Sequence, residues 1–349
     1  MLFQTLLLAS TASATCMHGL SFAKRATTDE IKISTFGYGP LDGAMNWASL
    51  DVANEACRMG KNQSPINIDN SIRPAPARPV ISVPEVDSMD FLNLGSTIEV
   101  VVNGTTNYAG TDFRIKQFHM HTPSEHHINL EYYPLEIHMV HQGVNDPSQL
   151  AVIALMFEVS DKKSSSIIKS LSDSLPKITK PGTKTPIKGG IDFSDVEDKL
   201  KKSEILTYSG SLTTPPCAEG VTFLIVKEPL DISVADFNAI KKIVKFNSRV
   251  IQNKPGYPNL VEVGSVSGTP GAYMPNMTLP GNATAPGNNA TVANAPVPVL
   301  SPIPSPSPGK VTPTAASSSC TDKSLTVTEL NGRPTWIPTI IANRRSPQY

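Results

Sequence analysis

Six of the seven histidines in this 349-residue chain fall within one 23-residue stretch: His119, His121, His126, His127, His138 and His141. His119 and His121 are two residues apart, so on a β-strand both rings point to the same side. Two imidazoles at that spacing can converge on one ion. A third ligand would come from a neighbouring strand. His138 is the best candidate, because Glu136, His138 and Val140 share a face of the alternating segment Leu135–His141, while His141 points the other way. Three neutral imidazoles leave a fourth tetrahedral position for water. Zinc held in this way lowers the pKa of its bound water to about 7, which gives hydroxide at neutral pH. A lone His-x-His pair is also a common surface or core feature. The neighbours set this one apart: Gln117 stands two before His119 and Glu136 two before His138, each able to accept the other ring N–H of its histidine. Ligating histidines need such partners to fix ring orientation.

Strands must carry these residues. In Phe113–His121 the alternation puts Phe113, Ile115, Gln117, His119 and His121 on one face. Ile98–Val102 is β-branched and apolar, Leu150–Val159 is a near-continuous apolar run that suits a buried central strand, and Gly220–Val226 is another. Helical patterns fit 162–174 and 233–245, the second opening on Ser233 as N-cap before Asp236. The Pro-rich stretches 74–84 and 176–186 read as loops. Residues 31–262 therefore read as one catalytic domain, mainly β with short helices.

Composition bounds the rest. Thirty basic and thirty acidic residues give zero formal charge, which gives no support for a nucleic-acid or polybasic membrane partner. No apolar run of about 18 residues exists, so no membrane span is expected. The 31 prolines concentrate toward the C-terminus, and no charged residue lies between Glu262 and Lys310. Residues 263–318 read as a disordered, semi-extended spacer rich in Pro, Ser, Thr and Asn. Its sequons at Asn276, Asn282 and Asn289 are expected to be glycosylated; two more stand at Asn62 and Asn103. Residues 319–349 form a tail without a terminal hydrophobic run, so a GPI signal is not expected. Leu2–Ala9 followed by Ala12-Ser13-Ala14 reads as a signal peptide over 1–14, with a dibasic processing site at Lys24-Arg25. The cysteines at 16, 57, 217 and 320 are even in number, which permits disulfides in a secreted, extracellular protein. The tail is a candidate for cell-wall or matrix association.

Taken together, Gln117-Phe118-His119-Met120-His121, Pro123-Ser124-Glu125-His126 and Glu136-Ile137-His138-Met139-Val140-His141 resemble an α-class carbonic anhydrase. Tyr38-Gly39, Trp47, Asn62-Gln63-Ser64-Pro65-Ile66-Asn67-Ile68 and Gly210-Ser211-Leu212-Thr213-Thr214-Pro215-Pro216-Cys217 fit the same family, in its order. The Thr122-Pro123-Ser124 turn is similar to the branch with a short loop after the second histidine. The resemblance implies a central twisted, mainly antiparallel sheet with Zn2+ at the base of a conical cleft, and reversible hydration of carbon dioxide to bicarbonate and a proton. It implies that His119, His121 and His138 bind zinc, with Gln117 and Glu136 behind them. It implies that Thr213, Glu125 and Tyr38 form the catalytic set. Thr213 would accept the zinc-hydroxide proton and donate its own to Glu125, and its backbone N–H would hold a bicarbonate oxygen. Val140, Val152, Leu212, Thr214 and Phe223 would line the substrate pocket, Phe223 standing where a Trp is common. Val250 follows Arg249 where Pro is usual. Cys57 and Cys217 match the pair that secreted members join.

One departure carries a functional expectation. Many fast members resembling this chain place a proton-shuttling His after an Asn-Gly in the cleft, whereas Asn103-Gly104 is followed here by Thr105. Thr does not titrate near neutral pH, so turnover is expected to be slower or more dependent on added buffer. On this register, a glycan at Asn103 would hinder the cleft. The exposed pair His126-His127, or His18, would be the substitutes. The alternative reading is a catalytically silent binding module on the same fold. Such relatives typically lose a metal ligand, and none is lost here.

Overall fold

The computed structural model describes residues 31–265, 327–330 and 333–336. The signal segment 1–14, Lys24-Arg25, Cys16, Cys320, Asn276, Asn282, Asn289 and most of the spacer and tail lie outside the described residues. The chain divides into two units, Met1–Leu279 and Pro280–Tyr349. In the second, the described residues are an antiparallel strand pair, Val327–Leu330 with Arg333–Trp336.

The first unit is built on one ten-stranded sheet. Its strands are β2 (Arg73–Pro74), β3 (Val80–Ser82), β4 (Ser88–Asn93), β5 (Ile98–Tyr108), β6 (Thr111–His121), β8 (Leu135–Gly143), β9 (Leu150–Ser160), β10 (Lys184–Lys188), β11 (Ile205–Ser211) and β12 (Glu219–Ser233). A separate short parallel pair joins β1 (Asn67–Ile68) to β7 (His127–Ile128). The sheet order is β10-β4-β5-β6-β8-β9-β12-β11-β2, with β3 also on β5. Within it only β9 and β12 run parallel, so the sheet is mainly antiparallel as expected. The apolar run of β9 is buried from Ala151 to Phe157, as a central strand requires. Residues 184–186, expected as the end of a loop, begin the edge strand β10, which pairs only with β4 and can therefore hold Pro186. Loop 74–84 likewise contains β3. The expected helix at 162–174 shortens to Ser166–Lys169, while Val234–Val244 forms behind Ser233, whose hydroxyl accepts the Asp236 N–H at 3.2 Å.

One face of the sheet buries a large apolar cluster that includes Ile98, Val100, Phe118, Met120, Ile137, Ile153 and Leu155. Helix Ser194–Lys202 buries Val196 and Leu200 in it, an i,i+4 pair on one stripe. The opposite face carries His119, His121 and His138. A bulge separates the two sets. Ile115 pairs with His141 but Gln117 pairs with Val140, so Lys116 is an extra residue in β6. The extra residue reverses the alternation. Phe113 and Ile115 therefore join Phe118 and Met120 in the core instead of sharing a face with Gln117, His119 and His121. A third cluster, Phe36, Trp47 and the joined Cys57–Cys217 pair, ties the N-terminal segment to the Cys217 loop.

Candidate metal centre

Residues His119 and His138 stand directly opposite each other across β6 and β8, and His121 follows two residues on. The three ring centroids are 4.7 to 5.5 Å apart. One nitrogen from each ring lies within 4.8 Å of the others. Each ring is fixed from behind. His119 Nδ1 donates to Gln117 Oε1 at 2.9 Å, His121 Nδ1 to the Asn247 carbonyl at 3.0 Å, and His138 Nε2 to Glu136 Oε1 at 2.6 Å. A carbonyl only accepts, so His121 carries its proton on Nδ1 and its lone pair on Nε2. That Nε2 is buried with no hydrogen-bond partner; Glu125 Oε2, 3.4 Å away, lacks the geometry. Burial pushes the His121 pKa below its ordinary value against the pull of Glu125, which keeps the ring neutral. An orphaned imidazole lone pair facing two other imidazoles fits a cation that takes nitrogen ligands. His126, Glu136 and His138 also lie close together, but those atoms are consumed by hydrogen bonds among themselves.

Behind the triad is a satisfied polar network. Glu136 Oε1 accepts from both His138 and His126, and Oε2 accepts the backbone N–H groups of Glu125 (2.7 Å) and His126 (2.8 Å). Burial would raise this carboxyl, yet the His126 and His138 rings hold it well below the usual carboxylate range. His126 then accepts the Tyr208 hydroxyl proton at 2.6 Å, and Tyr208 accepts from Ser64 at 2.7 Å. His126 is thus fully buried, which corrects the expectation of an exposed His126-His127 pair; only His127 is partly exposed. Glu125 Oε1 accepts the Arg249 backbone N–H at 2.8 Å, while Oε2 has no hydrogen-bond partner. The buried Arg249 guanidinium bonds Gln63, the Ser64 carbonyl and the Cys57 carbonyl and lies over Trp47.

A narrow cleft opens on His119 and His121, lined also by Tyr38, Gln117, Val140, Leu212 and Thr214. Thr213 is buried beside the last two. Val152 and Phe223 stand behind the lining, packed with Val140 and Leu212; Phe223 stacks on Tyr208 at 5.2 Å and meets the His138 ring edge-on. The remaining wall is Ser96, Thr97 and Glu99. The shuttle position expected at Thr105 is corrected here. Glu99 pairs with His119, and Thr105 is exposed, six residues further along β5, roughly 20 Å at the strand rise. Ser96, not Thr105, faces the cleft.

Sequence reasoning missed Ser96, Thr97, Glu99, Asn247 and the Tyr208–Ser64 pair. A lone Glu inside the apolar run Ile98–Val102 was a usable signal. Asn247, which orients His121 from a loop more than a hundred residues away, gave none.

Comparison with known proteins agrees with this arrangement. The family model for eukaryotic-type carbonic anhydrase matches residues 42–255. A carbonic anhydrase of Neisseria gonorrhoeae is 32% identical, over 71% of this chain and 91% of that protein. One from Klebsiella pneumoniae is 33% identical, over 54% of this chain and 75% of that protein. Among solved structures, a fungal α-carbonic anhydrase from Aspergillus oryzae superposes with a TM-score of 0.63 and 38% identity, over 67% of this chain and 99% of that one. The chain belongs to the eukaryotic-type, α-class carbonic anhydrase family and is an enzyme of that family.

Proposed function

We propose that this chain is a secreted zinc enzyme that hydrates carbon dioxide reversibly to bicarbonate and a proton. The observation that carries the proposal is the buried, unpartnered Nε2 of His121 converging with the rings of His119 and His138. These three residues would hold Zn2+. The ion, when bound, supplies the Lewis acidity that brings deprotonation of water into the neutral pH range.

The chain's own residues do the rest. Gln117, Asn247 and Glu136 orient the three rings and fix their tautomers. Val140 and Leu212 offer carbon dioxide an apolar wall, with Val152 and Phe223 packed behind them. Thr213 is the acceptor and donor at the reacting oxygen, and the unpartnered Glu125 Oε2 is the acceptor that keeps its hydroxyl pointed. Burial raises the Tyr38 pKa well above its ordinary value, so its hydroxyl stays neutral on the cleft wall. Apart from the triad, no histidine among the described residues lines the cleft. Proton export therefore depends on buffer. The reason is the cleft wall at Ser96 rather than Thr105.

Secretion through the N-terminal segment, glycosylation of Asn276, Asn282 and Asn289, and wall or matrix retention through the tail complete the reading. The Cys57–Cys217 disulfide supports an oxidising compartment. Native mass spectrometry of the secreted chain tests the metal assignment. One zinc per chain, lost in His119→Ala and in His138→Ala while the fold persists by circular dichroism, is the expected result. Full zinc retention in both variants would reject the triad.

A further inference from the structure

The sequon Asn103-Gly104-Thr105 takes no part in the cleft. We propose that Asn103 carries an N-linked oligosaccharide and that Asn62, the other sequon among the described residues, does not. The proposal rests on the secretory reading above.

Along β5 the side chains alternate without interruption. Val102, Gly104 and Thr106 are buried, and Asn103 and Thr105 are exposed. The ladders are also broken at this point. Pairing to β4 ends at Phe91↔Val100, and pairing to β3 begins at Ser82↔Thr105. On the other side, the register with β6 shifts between Val101 and Gly104. Asn103 thus stands at a gap in its strand's pairing, with its side chain toward solvent and no hydrogen bond to the described residues. Val101, 39% exposed, stands two residues away on the same face of β5, an apolar surface that a glycan would shield. Asn103 is four residues along β5 from Glu99, which faces the cleft opposite His119. That separation is about 14 Å at the strand rise, and Val101, paired with the cleft-lining Gln117, stands between, so the glycan would sit beyond the cleft's outer edge rather than within it.

Asn62 has the opposite environment. Its backbone N–H bonds Glu219 at 2.7 Å and its amide reaches the same carboxylate at 3.5 Å. Ser64, the hydroxyl residue of its sequon, is fully buried, bonded to Tyr208 and accepting the Ser211 N–H. Pro65 follows directly. A sugar on Asn62 would break the Glu219 contact, and the hydroxyl that must assist the amide is engaged in the core.

The modification is a group transfer from a polyisoprenyl-diphosphate oligosaccharide donor. The Asn103 Nδ2 forms a bond to the anomeric carbon of the first sugar. The bond from that carbon to the phosphate oxygen breaks, and the lipid diphosphate leaves with the electron pair. The amide nitrogen gives up one proton, and no atom is oxidised or reduced.

The test is peptide mass mapping of the full chain secreted from a eukaryotic host, after enzymatic deglycosylation in heavy-oxygen water. The proposal expects the label at position 103, none at 62, and loss of one glycan's mass in Asn103→Gln but not in Asn62→Gln. It also expects kcat/KM for hydration to be unchanged, within about twofold, on deglycosylation. An unlabelled Asn103 beside a labelled Asn276, Asn282 or Asn289 would overturn this proposal and leave secretion standing. Absence of glycan at every sequon with an uncleaved N-terminus would overturn both. A large rise in kcat/KM on removing the Asn103 glycan would contradict its placement away from the cleft.

Discussion

Glu136 Oε1 lies 2.6 Å from His138 Nε2 and 2.7 Å from His126 Nδ1, so one carboxylate oxygen orients a candidate metal ligand and the ring behind it. Its other oxygen accepts two backbone N–H groups, so every acceptor site of this buried side chain is in use. Glu136→Gln replaces one acceptor oxygen with a donor in a site made only of donors. Zinc affinity should fall about 10- to 100-fold, measured by competition with a chromophoric chelator. The melting temperature should fall with it. Unchanged affinity would mean that Glu136 does not orient His138.

The disulfide between Cys57 and Cys217 spans 160 residues. Closing so long a loop restricts the unfolded chain strongly. The chain-entropy account puts the stabilisation at about 5 kcal/mol. The double variant Cys57→Ser, Cys217→Ser should lose several kcal/mol in urea unfolding while keeping its strand content. Equal midpoints for the two proteins would show that the unfolded chain is already held together elsewhere.

His141 sets an acid limit. Its ring is buried between the strand neighbours Ile115 and Ala151, with no hydrogen-bond partner on either nitrogen. Burial lowers its pKa to about 4, opposed only by the nearby carbonyls of Met139 and Ala151. The unfolded ring titrates at its ordinary 6.5. Between those values the unfolded chain binds more protons. Stability from this residue is therefore full above about 6.5 and is lost as pH falls toward 4, by about 3 kcal/mol in all. His141→Leu should flatten the stability profile across that window in chemical denaturation. A profile as steep as that of the parent protein would assign the acid sensitivity to other groups.

The cleft wall predicts where a proton shuttle can be installed. Ser96 lines the cleft, whereas Thr105 is exposed far along β5. In low buffer, Ser96→His should raise the hydration rate by about an order of magnitude, short of the roughly hundredfold or more that a fully positioned acid–base group supplies. Thr105→His should leave it unchanged. Stopped-flow hydration at several buffer concentrations separates the two, and a gain only in the Thr105 variant would reverse the assignment.

The sequence made the central strands, the histidine triad and the Gln117 and Glu136 partners legible, because local alternation governs them. The bulge at Lys116 was not legible, since a one-residue insertion shows only when β6 is set against β8. For the same reason the face of Phe113 and Ile115 was misread. Thr105 was misplaced because Asn103-Gly104 matched a short local pattern, whereas cleft membership depends on distance along β5. The roles of Asn247 and Arg249 are tertiary: both reach back across more than a hundred residues to the triad loops. No local pattern encodes contacts of that kind.

The most direct test is carbon dioxide hydration by the secreted protein, with zinc measured on the same sample before and after chelation. The account predicts activity that tracks one zinc per chain, vanishes with the metal, returns on adding zinc, and rises with buffer concentration. Full activity in metal-free protein, or bound zinc with no hydration at any buffer concentration, would contradict it.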